Sequence, residues 1–204
     1  MYVLPQALLG ALARARAPIL WIGATYLLSV TVGAGMVHAH NSLALRFRDK
    51  LVGDAQQTDV LRAMNRGLPL RAAAGDFAGN LFLGAVPSTV MGLSVVMPFP
   101  WVAFRGWVGG IVSVDGKHLS RLRDVRERLY YLGVLLLQLI PYTLAAGTGV
   151  RLGLASLLPK GRWGYESRDR WFGLPAEGVC DVGRIYLLVV PLFLVASLVE
   201  FLAR

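Results

Sequence analysis

The chain has little of what soluble catalysis is built from. It holds one cysteine, Cys180, which excludes an intrachain disulfide and a cysteine metal cluster. Only 16% of its residues are charged, against about 25% in an average soluble protein. Histidine is scarce. His38 and His40 form a His-x-His whose rings diverge on a helix, with no carboxylate at ligand spacing, and His118 falls in a polar loop. No metal site is therefore expected. There is no Ser/His/Asp arrangement, no phosphate-cradling loop and no nucleotide-binding glycine motif. No cofactor is expected, and catalysis by this chain alone is not. The start, MYVLPQALLGALARARAP, carries Arg14 and Arg16 after its apolar part, the reverse of a secretory signal.

Hydrophobic residues, by contrast, make up 55% of the chain, and the mean hydropathy is +0.55. The apolar runs are too long for amphipathic elements of a soluble core, so an all-α polytopic membrane helix bundle is expected. The net charge of +9 comes from basic residues placed between apolar runs. Lipid headgroup phosphates are the simpler partner for them than nucleic acid.

One membrane domain over residues 1–204 is expected, with about five crossings. Residues 2–17 read as an in-plane amphipathic helix on the bilayer surface. Pro18 opens span one, 18–39, with about the 20 apolar residues that a bilayer core needs. Residues 40–75 read as an amphipathic loop with short helices broken at Gly67-Leu68-Pro69. Spans two and three are 76–97 and 101–114, joined at Pro98-Phe99-Pro100. Pro87 is expected to kink span two and free a carbonyl. Residues 115–128 read as a helical extension of span four, 129–157, which Pro141 is expected to break into two half-helices. Span five, 182–202, has no glycine stripe after Gly183 and is expected at the edge of the bundle. Basic residues divide almost evenly between the two sides, which leaves orientation open.

Small residues every fourth position mark where helices approach. Asp76, Asn80, Gly84, Ser88 and Gly92 form such a stripe in span two. Gly106 and Gly110 do so in span three, and Ala145, Gly149 and Gly153 in span four. A few polar residues interrupt the spans: Asn80, Arg105, Gln138, Arg151 and Glu200. Each has a plain structural role open to it. Asn80 and Gln138 can hydrogen-bond across helices, the arginines can snorkel to headgroups, and Glu200 can sit at the interface. The sharper expectation is a shared polar cavity serving a substrate, an ion or a partner.

Four stretches together resemble the stage II sporulation protein M family of bacterial and archaeal membrane proteins. Phe77-Ala-Gly-Asn80 is similar to its Phe-x-x-Asn. Arg105-Gly106-Trp-Val-Gly-Gly110 is similar to its Asn-Gly-x-x-x-Gly, with Arg in place of Asn. Ala146 to Gly153 resembles the small-residue run of its fourth span, and Ala196-Ser-Leu-Val-Glu200-Phe201 its terminus. The family's His-Gly-x-x-Glu falls on Val134 and Gln138, so its polar cluster is altered here. The resemblance implies a non-enzymatic membrane scaffold of the bacterial cytoplasmic membrane, partnered by other subunits of a complex, with self-association left open. The alternative it implies is a permease subunit of an ABC-2-like exporter, driven by a separate ATPase.

Overall fold

The computed structural model describes residues 3–159, 161–167 and 169–202. Tyr2, first residue of the expected in-plane segment, and Lys160, Arg168 and Arg204, counted among the basic residues, lie outside them. The fold is all-α apart from one two-stranded hairpin.

The first helix, α1, runs unbroken from Val3 to His38, 36 residues. The expected division at Pro18 is absent, and 2–17 is not a separate in-plane helix. Pro18 removes one backbone hydrogen bond, but the helix is gripped on both sides of it. Ala11 and Ala15 pack with Ile185 and Val189, while Ile22 and Tyr26 pack with Leu139 and Ala146. Tertiary packing overrides the single lost bond.

Three short helices follow: α2 (Ser42–Gln56), α3 (Asp59–Asn65) and α4 (Pro69–Ala78). Asn41 caps α2, its side-chain oxygen accepting from the backbone of Leu43 and Ala44, and Thr58 caps α3 through Leu61. α4 continues through a π-helical turn, Gly79–Ala85, into α5 (Val86–Gly92). The π turn lies just ahead of Pro87, whose ring carries no N–H. Ser88 Oγ donates to the Gly84 carbonyl at 2.7 Å and Thr89 Oγ1 lies 3.1 Å from that of Ala85, the i−4 back-bonds of hydroxyls within a helix. The wider turn has a second effect. Residues four apart drift about 40° around an α-helix; the π turn reverses part of that drift and keeps Gly84, Ser88 and Gly92 on the face that meets the next long helix.

After a tight turn comes α6 (Pro98–Ile111), 14 residues, parallel to the second half of α1 and packed more closely on it than any other helix pair. A Cβ on Gly110 would meet the Val30 carbonyl, and one on Gly106 the Tyr26 carbonyl; Gly33 answers from α1. Residues 112–124 form an irregular loop instead of a helical extension, bridged between Val114 and Ser120. Asp124 then caps α7 (Val125–Leu157), accepting from the N–H groups of Arg126 and Glu127.

α7 is the centre of the fold. It is continuous through Pro141, and every residue from Pro141 to Gly153 is buried. A helix apolar on all faces is one surrounded on all faces. α1, α5 and α8 (Ala176–Leu202) are packed around it. The α5 crossing is closest: a Cβ on Gly92 would meet the Gly149 backbone, and one on Gly149 that of Thr89. α8 lies on the outside of the bundle and leaves Leu187, Leu194 and Val195 exposed. It contacts α1, α4 and α7, burying Ile185, Val189 and Phe193. At its start Gly178 lies against Leu152 and Tyr165, beyond it α8 packs by large side chains, and Ser197 bonds Asp76 of α4. The hairpin β1 (Arg170–Trp171) and β2 (Leu174–Pro175) precedes α8, with Phe172 fully exposed at its tip.

Among the described residues three helices are long and apolar enough to cross a membrane: Leu4–His38, Val125–Leu157 and Ala176–Leu202. α1, α6 and α8 point one way, α4–α5 and α7 the other, so the bundle has an Arg14 end and a His38 end.

Candidate functional site

A cavity of about 410 Å³ lies where α6 and α7 stand apart. Tyr26, Trp101, Arg105 and Tyr142 line its inner end, Leu51 and Arg121 its outer end, and Gln138 and Glu200 the wall between. Its walls follow α6 from Trp101 to Val112, about 16 Å at ~1.5 Å per residue. It reaches from Trp101, in the first turn of α6, to Arg121 in the loop at the His38 end.

Three of the five polar residues singled out in the spans meet here: Arg105, Gln138 and Glu200. Gln138 Nε2 donates to Glu200 Oε2 at 3.2 Å, and Tyr130 Oη donates to the Glu200 carbonyl. Arg105 lies over the ring of Tyr142, 4.3 Å from its centroid, and 5.3 Å from that of Trp101. Trp101 and Arg105 are four apart on α6 and so share a face. No salt bridge to Arg105 occurs among the described residues. Its Nε and the Trp101 indole N–H are buried without an acceptor.

Asn80 stands behind the cavity wall. Its amide donates to Asp76 Oδ2 at 2.9 Å and its oxygen accepts from Tyr142 Oη at 2.6 Å. Ser197 Oγ, from α8, donates to the same Asp76 oxygen at 2.7 Å. This chain of bonds ties α4, α7 and α8 together and fixes the Tyr142 ring on which Arg105 rests. The remaining packing positions, Gly84 and Ser88, complete the α5 face: Gly84 lies against Tyr142 and Ser88 is buried.

Arg151 is elsewhere. It is 3% exposed, and its guanidinium lies between the rings of Tyr165 and Trp163 at the Arg14 end, donating to the Trp163 carbonyl. It neither snorkels nor enters the cavity. Beside it, Asp181, 2% exposed, accepts from Arg14 Nε and Nη2 and from Arg184 Nη1, each at 2.7 Å. Tyr165 Oη also donates to it at 3.2 Å. Burial pushes the Tyr165 hydroxyl up to about 12, so it remains a donor at neutral pH. This clasp joins the starts of α1 and α8 to the 161–165 segment.

At the His38 end, the 112–124 loop is latched onto α1 and α2. His38 Nε2 bonds Ser120 Oγ at 2.8 Å, and His118 Nε2 meets Asp49 at 3.0 Å. Arg48, buried, pairs with Asp49 at 2.9 Å and reaches the Val114 carbonyl. Arg48 first, and His118 after it, hold the Asp49 carboxyl below the ordinary range. Among the described residues no three His, Cys, Asp or Glu side chains are placed to hold a metal ion.

Comparison with known proteins gives no match: no family model, no curated protein and no solved structure is similar to this chain at a significant level. The site is therefore read from its own residues.

Sequence reasoning missed Tyr142, Trp101, Arg121 and Asp181. Trp101 carried a signal, its four-residue spacing from Arg105. Tyr142 follows Pro141 in an apolar run and reads as core. Asp181 lies in the polar stretch just before the expected span, where a charge looks solvated.

Proposed function

We propose that the chain is a non-enzymatic scaffold or assembly subunit of a complex in the bacterial cytoplasmic membrane, crossing it five times and resembling the stage II sporulation protein M family. The observation that carries this reading is close helix packing: Gly106 and Gly110 lie against the α1 backbone, Gly92 against that of Gly149, and Asn80, the polar residue best placed for a transport path, is tied into that packing through Asp76 and Tyr142. Five crossings are supported by depth. Gly106 of α6 lies beside Tyr26 and Thr89 of α5 beside Gly149, so both elements lie along the middle of helices long enough to span. The three positions at which the chain departs from the family pattern, Arg105, Val134 and Gln138, all line the same cavity. They exchange its polar character instead of scattering over the surface.

The permease reading keeps one point in its favour, the presence of Arg105, Gln138 and Glu200 in one cavity. The continuity of α1, without a separate in-plane helix, weighs against it. Purification of the tagged chain from membranes in mild detergent, with co-purifying proteins identified, separates the two. A stoichiometric complex without a nucleotide-binding subunit is the expected result. A stoichiometric ATPase would replace the scaffold reading with the permease one.

A further inference from the structure

We propose that the cavity between α6 and α7 is a binding site for an organic anion, a carboxylate or phosphate carried on an apolar body, with its charge seated on Arg105. This goes beyond the scaffold reading and holds equally for a permease. The first argument is charge. Arg105 and Arg121 line the cavity, and Glu200 is the one carboxylate that does so. Glu200 already accepts from Gln138, and no salt bridge to Arg105 or Arg121 occurs among the described residues. A cation held at mid-depth in a bundle is costly without a counter-charge.

The second argument is hydrogen bonding. Buried donors in native proteins find acceptors as a rule. Arg105 Nε and Trp101 Nε1 do not find one among the described residues; both nitrogens are themselves covered, so a ligand meets the half-buried Arg105 only at the part of its guanidinium that faces the cavity. An oxygen-rich anionic group supplies acceptors and charge together, whereas a cation or an apolar molecule supplies neither.

The third argument is shape. Tyr142 and Trp101 hold the guanidinium by their rings, which fixes its position before a ligand arrives. Phe104, Val108, Val134 and Leu135 give the rest of the walls an apolar lining. A volume of about 410 Å³ falls in the ~300–1,000 Å³ range of small-molecule sites, which are apolar with a few placed polar groups. The charged group therefore goes to Arg105 and the apolar body to the walls.

Heavy-atom quenching of Trp101 fluorescence tests this, the Trp101→Phe protein giving the signal to subtract. The purified chain is titrated with 4-bromobenzoate and, separately, with 4-bromobenzyl alcohol, which has the same ring without the charge. Saturable quenching by the acid, at least tenfold tighter than by the alcohol, is expected. Arg105→Gln should weaken the acid at least tenfold and Arg105→Lys should restore most of it. Equal quenching by acid and alcohol in the wild-type protein would overturn the proposal without reference to any variant. So would unchanged affinity in a folded Arg105→Gln protein. Nanodiscs of phosphatidylcholine with and without chain-brominated phosphatidylglycerol then identify the source. If the lipid quenches Trp101 saturably and displaces the benzoate, the anion comes from the bilayer; if the benzoate binds undisturbed, it comes from solution.

Discussion

Replacing Asp181 by alanine should open the Arg14 end of the bundle. The carboxylate is buried and accepts from two arginines and a tyrosine, with Arg14 engaged through both Nε and Nη2. Breaking a buried ion pair from one side costs ~3–5 kcal/mol. The partners here are not fully buried: the Arg14 and Arg184 side chains are 34% and 31% exposed, so water recovers part of their solvation. A loss of about 2–3 kcal/mol is the reasonable magnitude after that screening. For a chain of this length that corresponds to a fall in melting temperature of roughly 4–12 °C. Cys180 provides the assay. It is the single cysteine, half-buried beside Asp181, so a fluorogenic maleimide reports its exposure during a thermal ramp. Arg14→Ala alone should cost less, because Asp181 keeps Arg184 and Tyr165. The double variant should fall short of additivity by about 1 kcal/mol or more. A shift below about 1 °C in Asp181→Ala, or full additivity with Arg14→Ala, would refute the clasp.

Gly149→Leu should destabilise by about 1–3 kcal/mol in the same ramp, because its side chain enters the Thr89 backbone; Gly116→Leu, with open space around it, should not. Asn80→Leu removes one of the two donors to Asp76, which keeps Ser197, and the acceptor of the Tyr142 hydroxyl, and should lower stability by ~1–3 kcal/mol, where a residue lining only a solvent path would lower it little. The Asp49 contacts set a pH window. Its carboxyl is held below the ordinary value by Arg48 and His118, so its hold on the 112–124 loop is complete above about pH 4 and is lost as the pH falls through the lowered pKa. Amide exchange of Arg121, whose N–H donates to the Ser113 carbonyl within that loop, should stay slow from pH 7 to 5, after correction for the intrinsic rate, and quicken only below about 4. Opening between 7 and 5 would place control on another group.

The long helices were legible because apolar runs of that length have few other uses, and the approach of α6 to α1 was legible in Gly106 and Gly110. The expected breaks at Pro18 and Pro141 were local inferences about one missing N–H. The structure keeps both helices straight through because neighbours grip them on either side, which a linear pattern does not record. The convergence of Arg105, Gln138 and Glu200 follows from a simple rule, that polar groups in apolar runs turn inward. The same rule fails for Arg151, whose enclosing rings, Trp163 and Tyr165, come from the following loop and obey no helical spacing. α8 shows the converse. Without a glycine stripe after Gly183 it reads as loosely attached, yet Ile185, Val189 and Phe193 are fully buried against Ala11, Ala15 and Ala145 of α1 and α7, where the small residues are the partners'.

Site-directed labelling tests the central claim most directly, that α4–α5 and α6 cross the membrane beside the three long helices. In a Cys180→Ala background, single cysteines are placed by Ser94→Cys in the turn before α6, Ser167→Cys in the loop before α8 and Thr58→Cys between α2 and α3, all exposed. A membrane-impermeant maleimide is then applied to sealed vesicles of each orientation. The account predicts that the cysteines at 94 and 167 react from one side and that at 58 from the other. Reaction at 94 from the same side as 58 would mean that the helix pair does not cross, and the five-span scaffold would fall.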